Sequence, residues 1–73
     1  MAIHRIASQV AGTVWKVERQ PGAAVADGDT ILIIESMKME IPLDAPAAGT
    51  VHELLVGEGD TVAEGQVLAV VSS

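Results

Sequence analysis

Seventy-three residues with 49% hydrophobic content, a formal charge of −6 and no cysteine describe one small acidic domain with an aliphatic core. Four basic residues against ten acidic ones exclude a nucleic-acid surface, which needs clustered Lys and Arg. Without cysteine there are no disulfides and no thiolate metal sites, and His4 and His52 stand far apart with no carboxylate at ligand spacing.

The start, Met1-Ala2-Ile3-His4-Arg5, lacks the apolar stretch of a secretion signal. The longest aliphatic run, Ile31-Leu32-Ile33-Ile34, is far too short to cross a bilayer. A soluble, cytoplasmic domain is expected, with no membrane partner. A first short strand is expected near 3–7. The β-branched segment over 11–17 reads as a second, closed by the turn signal Gln20-Pro21-Gly22. A third lies near 24–26. Asp27-Gly28-Asp29, where glycine supplies the positive φ of a turn, introduces a fourth over 30–35. After a polar tip at Met37-Lys38 a fifth strand runs over 39–43, with Pro42 and Pro46 arguing against a helix and suiting an edge. Three more follow over 48–55, 61–63 and 67–71, separated by the glycine turns at 56–60 and 64–66. No window carries a helical stripe.

The order of these strands repeats. Ala11-Gly12-Thr13-Val14 recurs as Ala48-Gly49-Thr50-Val51, an offset of 37 residues that continues without a gap over 11–34 and 48–71. Eight of the 24 aligned positions are identical, and Gly12, Gly22 and Gly28 fall on Gly49, Gly59 and Gly65, which read as turn and bulge glycines. Two copies of one β motif imply an all-β fold: a flattened barrel-like sandwich of two four-stranded sheets with quasi-two-fold symmetry. Trp15 aligns with His52, which puts the single aromatic in an outward or half-buried position. The connector 35–40 becomes a hairpin whose tip points away from the chain termini.

That connector, Glu35-Ser36-Met37-Lys38-Met39-Glu40, holds one of only four basic residues. A solvated turn lysine is the commonest fate of the residue type. Methionine, however, usually fills cores; a lysine held out between two methionines reads as a residue presented for modification. Met39, which begins a strand, has packing as its alternative. Glu35 and Glu40 form a charged rim that a basic enzyme entrance would recognise.

The Met-Lys-Met core and the repeated Ala-Gly-Thr-Val and glycine turns resemble the biotinyl/lipoyl attachment domain family over nearly the entire chain. The resemblance implies that Lys38 carries covalent biotin, with Met37 and Met39 as recognition flanks and Glu35 and Glu40 as candidates for ligase recognition. It implies a non-catalytic carrier, not an enzyme, that moves a carboxyl group between a biotin carboxylase and a carboxyltransferase after a biotin protein ligase has loaded it. A lysine amine of ordinary pKa, about 10.4, is only about 0.04% neutral at pH 7, a difference of roughly 4.6 kcal/mol, so a ligase has to deprotonate and position it. The ungapped register leaves no room for the thumb insertion of some acetyl-CoA carboxylase carriers. A small, free-standing, thumbless biotin/lipoyl attachment protein, monomeric in isolation, is the expected form over 1–73. The main alternative is a lipoyl carrier of a 2-oxo-acid dehydrogenase-type complex, or a domain that accepts biotin and lipoate alike. Lipoyl domains usually carry an acidic residue before the lysine and Ala after it, which Met37 and Met39 do not match. A plain interaction domain of this fold would leave the methionine flanks unexplained.

Overall fold

The computed structural model describes residues 2–73 and contains eight strands. These are β1 (Ile3–Ala7), β2 (Gly12–Val17), β3 (Ala24–Val25), β4 (Thr30–Ser36), β5 (Met39–Asp44), β6 (Gly49–Leu54), β7 (Thr61–Val62) and β8 (Val67–Ser72). They form two antiparallel four-stranded sheets, in the orders β5-β4-β2-β7 and β1-β8-β6-β3. All eight expected strands are present, with no end moved by more than one residue. The expected third strand stops at Val25 because the Asp29 carboxylate takes the Ala26 N–H at 2.8 Å; Gln66 does the same to Ala63 at 2.9 Å.

The 37-residue offset carries one sheet onto the other, and the hydrogen bonds repeat with it. Gly22 N–H donates to the Val51 carbonyl and Gly59 N–H to that of Val14, both at 2.8 Å. Gly28 N–H reaches Ala45 O at 2.9 Å, and Gly65 N–H reaches Ser8 O at 2.8 Å. Ser8 is therefore the counterpart of Ala45, both 2% exposed, and the repeat extends beyond its identical residues into β1 and β5. Two features go beyond the sequence reading. Each short strand crosses over: β3 pairs with β6 of the other half, and β7 with β2. The register also skips Trp15 between Val14 and Lys16, and His52 between Val51 and Glu53, so the two aligned residues occupy twin bulges.

The core lies between the sheets and is built from twin pairs: Val14 with Val51, Ile31 with Leu68, Ile34 with Val71, Val25 with Val62. Each large aliphatic buried this way contributes on the order of 1.5–3 kcal/mol. Leu32 faces the role of Ala69 in its twin, a large-for-small exchange that the symmetric frame accommodates. Trp15, 49% exposed, stays outside the core. At the ends of β1 and β8, Ala2 and Ser73 exchange N–H···O bonds of 3.0 and 2.9 Å. By the same offset that terminal pair corresponds to Met39 and Ser36, the residues that close the β4–β5 hairpin.

Candidate functional site

β4 and β5 form the long hairpin that carries the 35–40 segment. Thr30 pairs with Asp44 at its base, Glu35 with Glu40 near its end, and Ser36 with Met39 across the two loop residues. Met37 and Lys38 both have positive φ, 51° and 65°. Positive φ at both central positions is the type I′ pattern, whose twist matches the flanking strands. Asn and Gly are the usual occupants. A methionine and a lysine in the left-handed region cost on the order of 1–2 kcal/mol each. The rest of the hairpin holds them there.

That support is specific. Ser36 Oγ donates to the Ala11 carbonyl at 2.9 Å, tying the tip to the connection between β1 and β2. Thr30 Oγ1 donates to Asp44 Oδ1 at 2.9 Å and closes the base. Gly12 runs beneath the strand: a Cβ there would collide with the Glu35 carbonyl oxygen and lie 2.9 Å from Ile34 Cγ2. Glycine is needed at position 12 for close approach, not for a turn, since its φ is not among the positive ones. Gly12, expected from the sequence as a turn or bulge glycine, is instead a close-approach glycine whose only signal in the sequence is its place in a repeated tetrapeptide. The roles of Ser36 and Thr30 were missed too, because hydroxyl bonds across 25 and 14 residues leave no local pattern.

At the tip itself, Met37 is 92% exposed and Met39 62%; neither enters the core, although Met39 begins a strand. Lys38 is exposed. Among the described residues the two ion pairs, Lys16–Glu18 at 3.4 Å and Arg19–Asp29 at 3.8 Å, leave Lys38, Glu35 and Glu40 unpaired. Glu35 and Glu40 are exposed and face each other across the hairpin. The five residues singled out in the sequence are thus brought together at one end of one hairpin. An exposed amine there is accessible to an enzyme from most directions, and two thioether side chains beside it offer polarizable apolar grip. Among the described residues no cluster of His, Asp or Glu is arranged to hold a metal ion, and no helix is long and apolar enough to cross a membrane.

The family model for biotin-requiring enzymes matches residues 2–71. The chain belongs to the biotin/lipoyl attachment family. This attachment domain is 44% identical over 68 residues to the biotin/lipoyl attachment protein of Bacillus subtilis (strain 168), a match covering 93% of each chain. Its fold superposes on part of the urea carboxylase of Kluyveromyces lactis with a TM-score of 0.93 at 33% identity, over 99% of this chain and 6% of that one. The lipoyl domain of the 2-oxoglutarate dehydrogenase complex from Azotobacter vinelandii gives 0.74 at 34% identity, over 88% of this chain and 81% of the other. The attachment domain therefore resembles both a carboxylase segment and a lipoyl domain, and the fold alone does not separate the two cofactors.

Proposed function

We propose that the chain is a biotin carboxyl carrier, with biotin in amide linkage to Lys38. The observation that carries this reading is the exposure of Lys38 on a braced two-residue turn between Met37 and Met39. The methionine flanks favour biotin over lipoate. In the loading step Lys38 Nζ, as neutral amine, attacks the acyl carbon of a biotinyl-adenylate held by a biotin protein ligase. The C–N bond forms, AMP leaves, and one amine proton is released. The domain contributes position: an accessible nitrogen, apolar flanks at Met37 and Met39, and the acidic rim of Glu35 and Glu40 for a basic ligase entrance.

When bound, biotin supplies a ureido nitrogen that accepts a carboxyl group from one active site and gives it up at another. The chain's own part is non-catalytic. The rigid hairpin holds the arm clear of the sheets and raises its effective concentration at a biotin carboxylase and a carboxyltransferase. A cytoplasmic monomer suits a carrier that visits two sites. The second reading, a lipoyl carrier, is favoured by the likeness to the 2-oxoglutarate dehydrogenase lipoyl domain.

Intact mass after co-expression with a biotin ligase, and separately with a lipoate ligase, tests the reading. One added biotinyl group that maps to Lys38 and disappears in Lys38→Arg supports it. Addition of lipoate alone moves the domain to acyl-transfer complexes, and no addition overturns both readings. Met37→Asp with Met39→Ala shifts loading from biotin towards lipoate if the methionines are what the ligase reads.

A further inference from the structure

The outer faces of the two sheets are not alike. On the β1-β8-β6-β3 sheet a shallow groove of about 450 Å³ is lined by the apolar Ile3, Leu55, Val67 and Val70, with Arg5 and Glu53 at its sides. The 37-residue offset puts Glu40, Glu18, Thr30 and Ile33 at the matching positions of the other sheet. Three of the four apolar side chains therefore stand where the twin is polar. Ile3 and Leu55 are 46% and 48% exposed, at diagonal corners of the face. Among the described residues the other exposed large apolar side chains are Trp15 and the two methionines of the hairpin tip.

The charges on this face are ordered. Arg5 pairs with Val70 across β1 and β8, and Glu53 pairs with Val70 across β6 and β8. One row thus reads cation, valine, carboxylate, with neighbours about 5 Å apart. Val70, 7% exposed, is the floor, and the exposed Arg5 and Glu53 are the rims. Among the described residues neither charge has an ion-pair partner. The matching row on the other sheet, Pro42, Ile33 and Lys16, has no carboxylate. A row with opposite charges on either side of an apolar centre matches its own image under a two-fold axis. With that axis in the contact plane and along the strands, Arg5 of each copy faces Glu53 of the other, and Val70 faces Val70. Packed sheets keep their strand directions within about 30° of each other, which this axis satisfies.

We propose that this face is a contact between two copies of the chain, which pair weakly, back to back, through their β1-β8-β6-β3 sheets. Ile3 and Leu55 supply the apolar area, and the two Arg5–Glu53 pairs fix the register. β4 and β5 belong to the other sheet, so both Lys38 hairpins stay exposed; on the carrier reading above, the pair has two arms. Strands about 4.8 Å apart, with about 3.4 Å per residue, give β1, β8 and β6 a flat face of about 300 Å². Two such faces together fall below about 1,200 Å², the size of transient contacts. A dissociation constant on the order of 0.1–1 mM is expected, so the dilute chain is a monomer. Two bodies of formal charge −6 repel each other. At about 0.15 M salt a Debye length of about 8 Å screens the distant charges and spares the facing pairs.

Sedimentation equilibrium of the full chain, from about 10 μM to about 2 mM in that salt, tests this. The weight-average mass should rise from one chain towards two. Arg5→Glu sets two carboxylates against each other and should weaken association at least about tenfold. Arg5→Glu combined with Glu53→Arg reverses the row, keeps it self-complementary, and should restore association. That rescue separates a contact from damage to the fold. Lys38→Arg should leave association unchanged, which keeps this result apart from the outcome of the loading experiment. Amide shifts of Arg5, Glu53 and Val70 should move with concentration, while those of Lys16 and Ile33 stay fixed. A chain monomeric at about 2 mM overturns the proposal. So do concentration-dependent shifts confined to the Lys16–Ile33 row, or a folded charge-swap variant that associates no better than Arg5→Glu alone.

Discussion

Glu35 and Glu40 stand directly opposite each other across the β4–β5 hairpin, and among the described residues neither is paired with a cation. Like charges at facing positions destabilise a strand pair, by roughly 0.2–1 kcal/mol. Glu40→Lys should therefore raise stability by about 0.5 kcal/mol in low salt. The gain should shrink as salt is raised, because the Debye length falls from about 30 Å at 0.01 M to about 3 Å at 1 M. Urea midpoints of the two proteins across that range check the sign and the trend. A midpoint that falls in low salt would show that the carboxylates do not oppose each other in solution. The same substitution should slow biotin loading if the acidic rim guides the ligase.

If a ligase grips the Met37 side chain, folding and loading conflict at this residue. Its φ of 51° suits asparagine or glycine, and its side chain, 92% exposed, contributes no core contact. Met37→Asn should stabilise the protein by on the order of 1 kcal/mol. It should also slow biotin attachment, since one apolar flank is gone. A thermal melt and a ligase time course on the same sample separate the effects. Faster loading in the more stable variant would refute a recognition role for Met37.

Most of the fold was legible because the sequence states it twice. The 37-residue offset aligned turns with turns, so a weak signal at Gly28 was supported by the same signal at Gly65, and all eight strands followed. What was legible of the candidate site was a local motif, a lysine between two methionines, which the structure places exposed at the end of the β4–β5 hairpin. What escaped the reading depends on contacts between distant segments. The crossing of β3 to β6 is set by Gly22 and Ala23 bonding to Val51, far along the chain. The Met37-Lys38 turn takes positive φ without a glycine or asparagine to announce it, because Ser36, Thr30 and Gly12 hold the hairpin from outside the turn.

Trp15 tests whether the twin positions are interchangeable. It sits in a bulge of β2 that His52 occupies in β6, and both are exposed. The frame already accepts an imidazole in that geometry. Trp15→His should change stability by no more than about 0.5 kcal/mol, the range of ordinary surface substitutions. A loss above about 2 kcal/mol, measured by urea denaturation, would place the indole in a packing role that its exposure does not indicate.

Gly12 and Gly28 demand glycine for different reasons, and the same substitution distinguishes them. At Gly28 φ is +88° with open space where a Cβ would go, so Gly28→Ala meets only the backbone penalty, about 1–2 kcal/mol. At Gly12 the Cβ is driven into the Glu35 carbonyl oxygen, which belongs to the strand carrying the lysine. Gly12→Ala should cost about 3 kcal/mol, at the upper end for overpacked sites, because backbone and not a flexible side chain must move. It should also slow biotin loading of the folded protein, since Glu35 lies three residues from Lys38. Gly49→Ala supplies the control: its Cβ meets the carbonyl oxygen of Ser72, the twin of Glu35 on the other sheet. It should destabilise comparably and leave the loading rate of folded molecules unchanged. Equal slowing in both variants would mean that global stability, not the seating of the hairpin over Gly12, governs access to Lys38.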